Sequence, residues 1–287
     1  MLKARENPAA LRFALYASIS GKFESSVKLS ATFDRLRAAN ERALVLYITA
    51  GDPSFEQLPD VLDTLQEGGA DIIEIGLPFS DPIADGPTIQ ASNQRALERG
   101  VNPNQVLDAL AQYNPAVPLV LMGYYNPVLR RGLAEFAAAS QRAHVAGTII
   151  SDLTPEESDD WMVASQAHDL DTVFLAAPTS TDHRLDEVCR RSTGFVYAVS
   201  RTGVTGTQAS DASEVASLVN RIKARTQVPV CVGFGISQPD HVRSVCEVAD
   251  GAVVGSWLVN ELAQNWNQGA GRHALVESIK KLKAATR

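Results

Sequence analysis

From Arg42 onward, short runs rich in Val, Ile and Leu alternate with longer amphipathic segments, and the alternation reaches the C-terminus without a linker or a shift in composition. The runs fall at residues 43–49, 71–76, 118–122, 147–151, 172–176, 194–199, 228–233 and 251–255. They lack the strict polar alternation of half-exposed strands, which is the pattern of parallel strands covered on both faces. Eight strand–helix units predict an α/β fold closed into a (β/α)8 TIM barrel. An open doubly wound sheet calls for a glycine-rich dinucleotide turn after its first strand, and Ala50-Gly51-Asp52-Pro53 does not supply one. The 287 residues leave room for a single barrel of about 250.

The intervening segments show helical spacing and helix-end signals. Phe55, Leu58, Val61, Leu62 and Leu65 form one apolar face, closed by Gly68-Gly69 as a C-cap. Asn102-Pro103 supplies an N-cap and a proline at the first helical position, ahead of Val106, Leu107 and Leu110. Further helices are expected around Leu185 and Val188, around Leu218 and Ile222, around Val242 and Val245, and around Leu275, Ile279 and Leu282. The first 29 residues differ: basic side chains exceed acidic ones, serines recur, and no apolar period is sustained. We read residues 1–29 as an irregular, poorly ordered extension unrelated to the chemistry, and 30–287 as the catalytic barrel, preceded by a short N-terminal helix. No apolar region of secretory type follows the first charges, which disfavours an export signal.

Charge and cysteine usage exclude several roles. With 26 basic against 33 acidic side chains the formal charge is −7, so no basic field awaits a nucleic-acid backbone. No apolar stretch approaches the ~20 residues of a membrane helix. Cys189, Cys231 and Cys246 are widely spaced within apolar runs and read as buried thiols of a cytoplasmic protein.

In a barrel, polar residues at the C-terminal ends of strands are the functional candidates. In the run 71–76, period two puts Ile73 and Ile75 on one face and Ile72, Glu74 and Gly76 on the other. If Ile73 and Ile75 face the helices, Glu74 points into the barrel, where desolvation raises its pKa toward neutrality and suits it to proton transfer. The competing account is a buried Glu satisfied by structural hydrogen bonds. The loop that follows, residues 77–87, is stiffened by three prolines and carries Asp81 and Asp85. Each aspartate reads equally as a turn or capping residue, with Asp85 placed to cap a helix starting near Pro87. A carboxylate pair with Glu74 is the functional alternative.

Glycine-rich turns follow the last three strands: Ser200 to Gly206, Gly233-Phe234-Gly235, and Gly255-Ser256. Exposed backbone N–H groups and a helix N-terminus after strand eight make an anion site, where barrels often hold phosphate. Lysines occur only at positions 3, 22, 28, 223, 280, 281 and 283, so no strand end offers a Schiff-base amine. The five histidines are scattered without metal-ligand spacing. What remains is acid–base chemistry by carboxylates on a phosphorylated substrate, with neither metal nor organic cofactor expected.

The segments Tyr47-Ile48-Thr49-Ala50-Gly51-Asp52-Pro53, Glu74 to Pro82, Ala84 to Gln90, Ser200 to Gly206 and Gly233 to Ser237, in that order, resemble the tryptophan synthase α chain family over about residues 30–287. The resemblance implies a (β/α)8 barrel that cleaves indole-3-glycerol phosphate by a retro-aldol reaction into indole and glyceraldehyde 3-phosphate. It implies Glu74 and Asp85 as the catalytic pair and Thr205 as a residue holding Asp85. Gly206, Gly235, Gly255 and Ser256 would bind phosphate, and Tyr47, Tyr124, Ile149, Tyr197, Gly233 and Phe234 would line the indole pocket. It further implies a pyridoxal-phosphate β chain as partner in an αββα assembly, contacted through Pro78, Asp81 and their loop.

Three positions depart from the family pattern: Leu46 in place of Pro, Thr154 in place of the Pro of Asp-Leu-Pro, and Trp257 in place of a small residue after Gly-Ser. Trp257 brings bulk beside the expected phosphate site. Alternatives from the same residues are a stand-alone lyase releasing free indole, a carboxylate-based phosphosugar isomerase, and a non-catalytic subunit that only activates a β chain. Retention of both Glu74 and Asp85 argues against the last.

Overall fold

The computed structural model describes residues 27–199, 209–233 and 235–287. Eight parallel strands close into a barrel in chain order, β8 returning to β1. They are β1 (Ala43–Thr49), β2 (Ile72–Gly76), β3 (Leu119–Gly123), β4 (Val145–Ile150), β5 (Asp171–Ala176), β6 (Val196–Val199), β7 (Val230–Gly233) and β8 (Gly251–Val254). Four start later than their apolar runs, and in β3 and β7 a proline stands just before the strand. Pro118 and Pro229 lack an N–H for the ladder, though their carbonyls still accept from Ile73 and Val196 at 3.0 and 2.8 Å.

The helices are α1 (Leu29–Ala38), α2 (Leu58–Gly68), α3 (Pro87–Glu98), α4 (Pro103–Leu110), α5 (Tyr125–Arg131), α6 (Leu133–Arg142), α7 (Asp159–Ala167), α8 (Asp182–Arg191), α9 (Ala209–Lys223), α10 (Pro239–Cys246), α11 (Ser256–Asn265) and α12 (Arg272–Ala284). Their ends follow the sequence signals. Gly69 adopts φ +100° at the end of α2, and Asn102 with Gln105 closes a reciprocal capping box on α4. Helices α5, α6 and α7 were not anticipated: their buried faces rest on few side chains, chiefly Val128, Phe136 and Trp161, amid alanine and polar residues.

Strand alternation sorts the core into layers. Leu44, Leu46, Ile48, Ile73 and Ile75 pack outward against the helices, while Val45, Ile72, Val120, Val173, Phe195, Cys231 and Val253 fill the interior. In β4 the register slips, Leu119 facing Val145 but Val120 facing Gly147, so Ala146 and Ile149, of opposite parity, both reach the interior. Helix α1 plugs the barrel's lower end with Leu29, Phe33 and Leu36. Gly194 admits that plug, since a Cβ there would stand 2.7 Å from Leu29 Cδ1. With the bottom filled, the upper mouth is left for ligands.

Candidate active site

Glu74 lies inside the barrel, in register with Tyr47 on β1 and Val120 on β3, and is 1% exposed. Neither carboxyl oxygen has a hydrogen-bond partner among the described residues, so none of them supplies the structural hydrogen bonds that the competing account calls for. Burial without a donor disfavours the charged form, and the nearby Asp85 carboxylate adds to it, so the Glu74 pKa rises to about 8. At neutral pH Glu74 therefore carries its proton.

Asp85 sits half-buried in the β2–α3 loop. It does not cap α3, whose N-cap is Gly86 with no side-chain cap bond. Its carboxylate turns instead toward the Tyr124 hydroxyl and the Asn93 amide. Burial raises its pKa to about 6, and those two donors oppose the rise. One carboxyl is thus protonated and the other ionised near pH 7, the separation that acid–base work by a pair requires. Asp81, the loop's other acid, is exposed and accepts the Ser80 hydroxyl at 2.6 Å.

Aromatic walls surround the pair. Tyr47 is buried, its hydroxyl 3.2 Å from Thr49 Oγ1, which meets Ser92 on α3 at 2.6 Å. The Tyr47 hydroxyl lies over Gly76, and the Tyr197 hydroxyl lies over Gly233; a Cβ at either glycine would fall within 2.1 or 2.3 Å of the oxygen. Tyr124, at the end of β3, stacks on Phe79 with centroids 4.9 Å apart. Ile149 is wholly buried in the interior layer. Glu74 and Asp85 both push the Tyr47 and Tyr197 hydroxyls well above the ordinary phenol range, after burial itself. Tyr47, Glu74, Asp85, Tyr124 and Tyr197 therefore share one electrostatic environment.

Beyond β7 and β8, Gly235 adopts φ +70° and Gly255 is the N-cap residue of α11, with Ser256 the first helical residue. The first-turn N–H groups of α11 have no intrahelical acceptor and form a ready anion site. Trp257 does not crowd it: its side chain is half-buried and packs with the outer apolar layer. Leu46 likewise faces outward, fully buried, and Thr154 donates from Oγ1 to Glu157 at 3.1 Å at the start of a short 3-10 turn. Thr205, Gly206 and Phe234 lie outside the described residues.

Sequence reading missed Asn93 and the ion pairs anchoring α3 to β1. Asp52, three residues past the end of β1, receives Arg95 through bonds of 2.9 and 2.6 Å and Arg99 at 3.2 Å. A signal was present: Ser92 and Asn93 are polar residues on the buried stripe of α3, alongside Ala96.

A closed (β/α)8 barrel whose mouth joins a proton-bearing glutamate, an ionised aspartate, aromatic walls and a helix N-terminus is an acid–base enzyme for a small, partly aromatic, anionic substrate. The family model for the tryptophan synthase alpha chain matches residues 33–287. The tryptophan synthase alpha chain of Solibacter usitatus is 44% identical over 258 residues, covering 89% of this chain and 97% of the relative. That of Geobacter sulfurreducens is 47% identical over 234 residues, covering 81% and 89%. A solved tryptophan synthase structure from Mycobacterium tuberculosis superposes with TM-score 0.83 at 39% identity, covering 92% of this chain and 99% of that one. The alpha subunit from Legionella pneumophila gives 0.82 at 33%, covering 90% and 97%. The chain belongs to the tryptophan synthase alpha chain family.

Proposed function

We propose that the chain cleaves indole-3-glycerol phosphate to indole and glyceraldehyde 3-phosphate, with Glu74 moving the protons and Asp85 holding the indole nitrogen. The observation that carries this reading is the buried Glu74 carboxyl, unpartnered among the described residues and protonated at neutral pH. Indole leaves poorly as a carbanion, so ring C3 must be protonated first, and Glu74 is the acid in place. Asp85 accepts the ring N–H and offsets the positive charge that protonation puts on the indolenine. The bond from C3 to the carbinol carbon then breaks, and its electron pair restores the aromatic ring. The carbinol hydroxyl becomes the aldehyde and gives its proton to the Glu74 carboxylate, which returns to its starting state.

Tyr47, Tyr124, Ile149, Tyr197, Gly233 and Phe234 enclose the indole in this reading, while Gly206, Gly235, Gly255 and Ser256 take the phosphate through backbone amides. The net charge of −7 supports that use of fixed dipoles, because the chain has no general attraction for anions. In this reading Thr205, outside the described residues, holds Asp85. Residues 1–29 stand apart from the chemistry, and 30–287 form the catalytic unit.

The partner is a β chain that consumes the indole, in an αββα assembly. Pro78, Asp81 and their loop contact it; Ile83 in that loop is 83% exposed, an apolar side chain suited to cover by another protein. The test is indole release from indole-3-glycerol phosphate with and without a β chain. Release that rises when the β chain is added supports the whole reading. Equal release in both arms leaves a stand-alone lyase, and no release in either contradicts the reaction.

A further inference from the structure

The loop of residues 77–86 carries Asp85, and its backbone is tied at two points to the two side chains that face the Asp85 carboxylate. Near the loop's start, the Phe79 N–H donates to Asn93 Oδ1 at 3.2 Å. That bond sets which way the Asn93 amide points, so Nδ2 is directed to the Ile89 carbonyl at 3.0 Å and to Asp85 Oδ2 at 3.4 Å, the long end of the range. Near its end, the Ala84 N–H donates to the Tyr124 hydroxyl oxygen at 3.0 Å, which leaves the hydroxyl proton for Asp85. The Phe79 ring stacks on the Tyr124 ring, joining the two ties. Asn93 and Tyr124 are themselves 2% and 4% exposed and stand on α3 and at the end of β3, outside the loop they hold.

We propose that Asn93 and Tyr124 are positioning residues that dock the 77–86 loop and through it aim the Asp85 carboxylate into the barrel mouth. The inference rests on the functional reading above for what Asp85 does to substrate. In the docked loop burial favours protonated Asp85 and outweighs the two donors, which favour the carboxylate; removing either donor while the loop stays docked therefore raises the Asp85 pKa further. Among the described residues, the titratable groups facing Asp85 are Glu74 from β2, Tyr47 from β1, Tyr124 from β3 and Tyr197 from β6. No cation among them holds Asp85 ionised, so the two neutral donors carry that task.

The experiment compares wild type with Tyr124→Phe, which keeps the Phe79 stack and removes the hydroxyl, and with Asn93→Ala, which removes the donor without adding a charge. Asp85 is followed by 13C-carboxyl titration, and kcat and KM by indole release across pH. We expect the Asp85 titration and the acid limb of kcat to move to higher pH in both variants. At neutral pH kcat should fall about tenfold, with KM within about threefold of wild type. A second measurement needs no change at either position: in the full wild-type chain the Asn93 side-chain amide resonance should shift with the Asp85 titration, and lose that shift in Asp85→Asn. An unmoved Asp85 titration in folded variants, or a flat amide resonance, overturns the proposal. If the wild type releases no indole, the functional reading fails instead, and the Asp85 titration still decides the positioning roles.

Discussion

Strand β2 brings two buried carboxyl groups into the molecule three residues apart, and they are treated in opposite ways. Asp71, just below the strand, is 4% exposed and heavily partnered. The Leu44 N–H donates to it at 2.9 Å, Lys283 at 2.8 Å and Arg35 at 3.1 Å. It ties β1, β2, α1 and α12 together at the filled end of the barrel. Glu74, above it, has no donor among the described residues and keeps a proton in place of a partner. A buried carboxyl placed for stability is given donors, and one left without them retains its acid at neutral pH, at a cost to folding. The lower end of the barrel is built for the first outcome and the upper mouth for the second.

The comparison breaks most sharply at Glu74→Gln, which keeps shape and removes the acid. We expect indole formation to fall by about 10²–10⁴-fold, while the variant folds at least as well as wild type. The sign follows from linkage. The folded pKa of Glu74 stands at about 8 against 4.5 for the ordinary group, so the folded state holds the proton more tightly. Stability from this group is fully present below pH 4.5 and is lost as pH rises to 8, by a few kcal/mol. Glutamine does not titrate, so urea melts at pH 8 should place Glu74→Gln above wild type. Next in size is Asp85→Asn, expected to lower kcat about a hundredfold and to raise the melting midpoint at neutral pH, since the folded pKa of about 6 against 3.8 makes the buried carboxylate unfavourable there; kinetics and thermal melts together check it.

At the other end of the strand, Asp71→Asn should do the reverse. It removes the buried charge shared by Lys283 and Arg35, leaving Lys283 only Glu41 at 3.1 Å, and replaces one of two acceptor oxygens by a donor, for a loss of about 3 kcal/mol in urea unfolding. Its kcat at temperatures where it stays folded should remain within about twofold of wild type. The smallest effect is expected from deleting residues 1–26: steady-state kinetics and the unfolding midpoint should both match the full chain.

Much of this division was legible in the sequence. Alternation in the run 71–76 placed Glu74 inward, because Ile73 and Ile75 needed the helix layer, and the structure has them there. Eight apolar runs foretold eight strands, since a strand covered on both faces admits little else. Long-range pairing was not legible. Nothing near Asp71 announces Lys283, 212 residues away, and nothing near Asp85 announces that its donors come from the next helix and the next strand. Asn93 and Tyr124 become partners of Asp85 only when the barrel closes and brings α3 and β3 to one mouth. The direction of Trp257 was not legible for a related reason, since helix phase, which residue type alone does not fix, turns it to the outer layer.

The protonation state of Glu74 tests the central claim most directly. Carboxyl infrared bands of the full chain, assigned by subtracting the Glu74→Gln spectrum, should show a neutral Glu74 at pH 7 that ionises with a midpoint of about 8. A Glu74 already ionised at pH 6 would contradict the account, because the buried acid that begins the cleavage would then be missing.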